Sequence, residues 1–95
     1  MIKTSRGHGS GQVRRVTFIL PADTPPGAVS VVGDFNDWQP GCHELRKRSN
    51  GTRSAAVEVV PGARLRFRYL AEGGRWLDDP DVAARDGADC LFVAD

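Results

Sequence analysis

The chain contains no apolar run near the ~18–20 residues that span a bilayer, which excludes a helical membrane anchor. It also lacks a charge of one sign. Thirteen basic residues stand against 12 acidic ones, a net +1, so no bulk field draws it to nucleic acid or to a membrane surface. The first residues have no apolar centre of the kind a signal peptide needs, and a cytoplasmic protein is expected. Cysteine is scarce. Cys42 and Cys90 are the only two, and in a reducing compartment they are expected as two thiols. Histidine is equally scarce: His8 and His43 form no His-x-x-x-His pair, and there is no Cys-x-x-Cys. No metal and no other cofactor is therefore expected. Helical periodicity is missing too, with room for a single turn only between Pro80 and Gly87.

What is present is a regular succession of short β patterns within 95 residues, a length that supports one core. Residues 1–12, rich in Gly, Ser and positive charge, read as a flexible N-terminal tail, and 13–95 as the folded module. Val13 to Leu20 alternates, with Val16, Phe18 and Leu20 on one face and Arg15 and Thr17 on the other. A proline-rich loop follows from Pro21 to Gly27. Val29 to Val32 is almost wholly apolar and reads as a central strand. Glu44 to Lys47 gives a short strand, and Asn50-Gly51 a hairpin turn. Arg53 to Val60 places Ala55, Val57 and Val59 on one face. Arg64 to Ala71 sends Leu65, Phe67 and Tyr69 inward and Arg64, Arg66 and Arg68 outward. Glu72-Gly73-Gly74 is a three-residue hairpin loop leading into Arg75–Asp78, and Cys90 to Ala94 closes the set. About seven short antiparallel strands, with no helix of useful length, predict an all-β sandwich.

Nothing in this inventory pairs a nucleophile with a base. Cys42 and His43 are neighbours, so on a strand they point to opposite faces, read as a buried thiol and a surface imidazole. Asp78, Asp79 and Asp81 are clustered carboxylates in what is also ordinary turn chemistry. Gly7-x-Gly9-x-Gly11 precedes a strand instead of following one, unlike a phosphate loop. The chain is expected not to be an enzyme.

Two tryptophans carry the remaining signal. The apolar run stops at Gly33-Asp34-Phe35-Asn36-Asp37-Trp38, and Trp38 on that turn is either a core plug or an exposed platform. Trp76 follows the Gly-Gly hairpin. A three-residue loop sets Leu70 opposite Trp76 and Ala71 opposite Arg75, leaving Arg68 and Trp76 as diagonal neighbours on the outward face. An aromatic ring beside a guanidinium suits a sugar, whose C–H face covers the ring while its hydroxyls accept from the cation. The Arg64–Arg66–Arg68 ladder reads either as a solvated face or as an anion-binding stripe. Clustered strand aromatics and net basicity, the marks of a nucleic-acid binder, are absent.

These motifs, together with Asp78-Asp79-Pro80, resemble the family-48 carbohydrate-binding module, over about Val13 to Asp95. That family includes the early-set domain of isoamylases and glycogen-branching enzymes and the glycogen-binding domain of the AMP-activated kinase β subunit. The resemblance implies an immunoglobulin-like β-sandwich, here standing alone, and an α-1,4-glucan such as glycogen or a maltooligosaccharide as ligand. It implies that Trp38 and Trp76 stack on glucose rings and that Arg68 replaces a lysine contacting sugar hydroxyls. The family's asparagine before the last strand is here Asp89, within Gly87-Ala88-Asp89-Cys90, which accepts but does not donate; weaker binding is expected. The resemblance also implies a second role, docking to a glycogen-metabolising enzyme or a regulatory protein.

Overall fold

Two antiparallel sheets face each other in the computed structural model, which describes residues 1–6, 13–23, 25–82 and 84–94. The strands are β1 (Ile2–Arg6), β2 (Arg14–Pro21), β3 (Val29–Gly33), β4 (Arg46–Lys47), β5 (Thr52–Val59), β6 (Arg64–Ala71), β7 (Arg75–Leu77), β8 (Arg85–Asp86) and β9 (Asp89–Val93). One sheet has the order β1-β2-β5-β4. The other has β3-β6-β9-β8, with β7 also paired to β6. The described residues contain no helix, so none long and apolar enough to cross a membrane. The predicted all-β sandwich is what forms.

Alternation builds the core. The inward positions of β2 (Val16, Phe18, Leu20), β5 (Ala55, Val57) and β6 (Leu65, Phe67, Tyr69) are buried, together with Val29, Val31 and Cys90. Phe18 lies at the centre, 4.9 Å from the Phe67 ring and 5.6 Å from that of Phe35. Burying a ring of this kind contributes about 1.5–3 kcal/mol. Cys42 and Cys90 are both free thiols.

Several expectations need correction. The N-terminal tail is not free over its first half: β1 pairs with β2, setting Ile2 opposite Phe18 and Thr4 opposite Val16. Ile2 packs on the core, and the Met1 ammonium donates to Ile19 O (2.8 Å) and to Asp79 Oδ2 (3.0 Å). Residues 7–12 of the expected tail, with His8 and the Gly7–Gly11 motif, lie outside the described residues. Among the described residues the count of about seven strands rises to nine, with β1 and the two-residue β8. That last element occupies the segment where a helical turn had room.

β3 is at the edge of its sheet rather than central, although every residue in it is buried. Its open side is taken by the returning chain: Val31 N donates to His43 O at 3.0 Å and Leu45 N to Val29 O at 2.8 Å. The expected strand over Glu44–Lys47 is shortened to match, with Glu44 bridging Ser30 and only Arg46–Lys47 pairing with β5. Cys42 and His43 reverse their expected places. They sit on a turn, where strand alternation does not apply, so Cys42 is exposed while His43 packs edge-on against Phe35.

Two buried polar groups tie loops and the N-terminus to the same end of the sandwich. Arg53 shares the inward parity of Ala55 and Val57 and is 2% exposed. Its guanidinium donates to Gly27 O (2.7 Å) and Pro25 O (2.6 Å), which anchors the proline-rich loop. Asp79 is fully buried and accepts from Tyr69 Oη (2.7 Å) and Asp81 N (2.9 Å) as well as from Met1. Burial, and then the hydrogen bond to the Asp79 carboxylate, push the Tyr69 phenol far above its ordinary range.

Candidate functional site

The turn after β3 divides the work that the sequence left undecided between plug and platform. Phe35 is the plug, stacked on Phe18 in the core. Trp38, only partly buried, is carried outward at the end of the turn. Gly33 is required here for space, since an added Cβ would collide with the Arg66 carbonyl of β6 and stand 2.6 Å from Phe35 Cε1. Asn36 holds the turn closed: its Oδ1 accepts from Gly33 N (3.0 Å), and its Nδ2 donates to Val31 O (3.1 Å) and His43 Nδ1 (3.0 Å). His43 thereby accepts at Nδ1 and keeps its ring proton on Nε2.

Asp37 and Trp38 have φ of 55° and 56°, the left-handed region that bulky side chains rarely enter. Trp38 N donates to Gly33 O at 2.9 Å, one of the bonds that impose this conformation. Strain on a large aromatic, maintained by a hydrogen-bonded clamp, is characteristic of a residue that is being presented.

Trp76 reaches the same place from β7. The pairs Leu70–Trp76 and Ala71–Arg75 form as the three-residue loop predicts. Trp76 is 47% exposed, and the Arg68 Cζ lies 5.2 Å from its ring centroid, a cation–π contact. Trp38, Arg66, Arg68, Trp76 and Asp89 together line one open depression of about 300 Å³. All four residues singled out from sequence (Trp38, Arg68, Trp76 and Asp89) meet there.

Arg66, read from sequence only as a rung of the outward arginine ladder, lines the same depression. Its signal was available, because it stands two positions before Arg68 on an alternating strand and so shares its face. The acids behind the arginines were also missed. Asp78 Oδ1 lies 3.2 Å from Arg68 Nε and 3.5 Å from Arg85 Nη1, and Asp34 Oδ2 lies 3.6 Å from Arg66 Nε. Arg66 is therefore set against Asp34, and Arg68 and Arg85 share Asp78, so the two arginines that line the depression each face a carboxylate.

A larger depression of about 490 Å³ lies at the β4–β5 edge, lined in part by Cys42, His43, Glu44, Arg46, Arg48 and Ser54. It has no tryptophan, tyrosine or phenylalanine in its lining, and its one ring, His43, is packed edge-on against Phe35. Neither depression arranges a nucleophile against a base. The Cys42 Sγ points to Gln39 Oε1 at 3.9 Å, while Nδ1 of His43 is engaged by Asn36.

No family model matches the chain. Among curated proteins it is similar to the 1,4-alpha-glucan branching enzyme of Cupriavidus pinatubonensis, with 40% identity over 67 residues, 70% of this chain. It is similar also to that of Deinococcus radiodurans, 44% identical over 54 residues (56% of the chain), and to one from Xanthomonas campestris pv. campestris strain 8004, 41% over 58 residues (60%). In each case the match spans 8% of the enzyme's length, so the chain corresponds to less than a tenth of the relatives it matches.

Proposed function

We propose that the chain is a non-catalytic module that binds α-1,4-glucan of the glycogen or maltooligosaccharide type. The observation that carries this reading is the convergence of Trp38, Arg68 and Trp76 on one depression whose two arginines each face a carboxylate. Each part suits a neutral polyol chain. The two rings offer apolar faces to pyranose C–H groups, the Arg68 guanidinium donates to hydroxyls, and Asp89 accepts from them. The similarity to enzymes named for 1,4-alpha-glucan supports the substrate class, and the resemblance to the family-48 modules supports the role of the two tryptophans.

Charge balance separates this reading from an anion-binding stripe. A site for phosphorylated or nucleic ligands leaves its arginines uncompensated, whereas Arg66 and Arg68 each face a carboxylate here. Titration with soluble maltooligosaccharide, followed by tryptophan fluorescence, tests the proposal. Saturable quenching or enhancement is expected, and Trp76→Ala should weaken binding about tenfold or more, the scale of one lost ~1.4 kcal/mol contact. An unchanged response in that variant, or none in the wild type, overturns it.

A docking surface for a longer glucan-metabolising enzyme or a regulatory protein is the second reading. It is favoured by the same exposed Trp76–Arg68 pair, residue types in which interface energy concentrates. A partner that stays bound after α-amylase digestion of the extract supports docking over glucan bridging.

A further inference from the structure

We infer that Asp78 sets the chemical class of ligand the depression accepts, by holding the Arg68 guanidinium over Trp76 and cancelling its charge; this rests on the glucan-binding reading above. The geometry is specific. Asp78 leaves the end of β7, and its Oδ1 meets Arg68 Nε of β6 at 3.2 Å and Arg85 Nη1 of β8 at 3.5 Å. Arg85 is itself tied to β9 through Cys90 Sγ at 2.8 Å. One carboxylate oxygen thus joins the strand that carries Arg68, the strand that carries Trp76 and the edge of the sheet.

A guanidinium grips an oxyanion with two parallel bonds along its Nε–Nη edge or its Nη1–Nη2 edge. In Arg68 the Nε donor is already engaged by Asp78, which balances the charge an anion would seek and leaves the Nη donors for hydroxyl oxygens. Arg66 shows the same device more loosely, with Asp34 Oδ2 3.6 Å from its Nε. Without Asp78, Arg68 regains its Nε donor and an unbalanced charge beside a stacking ring, a site for an anionic saccharide. Asp78 is accordingly a positioning residue: it touches no sugar and acts through Arg68.

Asp78→Asn keeps the shape of the side chain and removes its charge. In a Trp38→Phe background, Trp76 is the only remaining tryptophan. There Asp78→Asn should raise quenching by iodide relative to acrylamide about two- to fivefold at low salt, the scale of one partly exposed ion pair. The rise should collapse at high salt. Asp78→Glu, which restores the charge, should return toward the wild-type ratio. An iodide-to-acrylamide ratio unaffected by Asp78→Asn, or raised equally by Asp78→Glu, overturns the inference.

The second arm compares a neutral maltooligosaccharide with its phosphorylated form. The wild type should prefer the neutral chain, and Asp78→Asn should narrow or invert that preference. Equal preference in the two proteins overturns the inference. A wild type that binds neither sugar, while the quenching ratio still shifts, removes the glucan reading and leaves the control of anion access by Asp78 standing.

Discussion

The two outer faces of the sandwich are built by the same strand alternation and have opposite surface chemistry. The face of the β1-β2-β5-β4 sheet presents Lys3, Arg15, Arg46 and Arg48 among small residues such as Thr17, Ser54 and Ala56, with Glu58 opposite Arg15. Lys3 and Arg46 meet no carboxylate of the described residues within ion-pair distance. The face of the other sheet presents Arg66 and Arg68, each set against an acid, around two tryptophans. Counting arginines does not separate a solvated face from a binding face. What separates them is whether the charges are neutralised from within the fold around something flat and apolar. Size does not separate them either, since the larger depression, at the β4–β5 edge, has no tryptophan in its lining.

The largest way to break this contrast is Gly33→Ala. The new methyl meets the Arg66 backbone and the Phe35 ring, so neither can give way cheaply. Overpacking of this kind costs about 1–3 kcal/mol, read as a lower denaturant midpoint, and the glucan response should fall with it because Trp38 is displaced. Retained stability would show that the turn shifts freely.

A smaller effect lies in the core between the faces. Tyr69 is the only tyrosine, and its phenol is pushed up by burial and by Asp79. Its folded-state value lies above the unfolded one, so its contribution is fully present below pH ~10 and lost as pH climbs beyond it, by up to about 1.4 kcal/mol per pH unit. Tyrosinate absorbance should therefore stay flat through pH ~10 and rise only as the protein unfolds. A normal titration in the folded protein would contradict the Tyr69–Asp79 bond.

The smallest effect is the sharpest control. Arg46→Gln, on the face without tryptophans, should change stability by no more than about 0.5 kcal/mol and leave the oligosaccharide titration curve unmoved. Binding of a neutral glucan should also be almost insensitive to added salt. A steep salt dependence would move the ligand toward the unpaired cations of the other face.

Much of this was readable from residues. β2, β5 and β6 follow period-two alternation between a core and a solvated face, and the Gly73-Gly74 loop fixed the β6–β7 register to the residue. That register placed Trp76 beside Arg68. Other features depend on contacts that no local pattern encodes. β1 carries one apolar residue, Ile2, among polar ones, and is ordered by pairing with β2 and by the Met1–Asp79 ion pair. β3 is apolar on both faces, which suggests a central strand, yet the chain's own return covers it at an edge. Burial of Arg53 could be read from its parity with Ala55, but its charge argues against that placement until the carbonyls of Pro25 and Gly27 are seen. The positive φ of Asp37 and Trp38 has no sequence signature, since neither is glycine.

The return segment that covers β3 has a consequence for solubility. Val29–Gly33 is a fully buried strand at a sheet edge, and such an edge, if bared, offers its unpaired amides to the same strand in another molecule. The chain from Asp34 to Leu45, which presents Trp38 on its way, is what blocks that edge. A nick or deletion in this loop would therefore do more than remove a ligand contact. It would turn the molecule into a seed for edge-to-edge aggregation, so the segment that carries Trp38 is one the protein is not free to shorten.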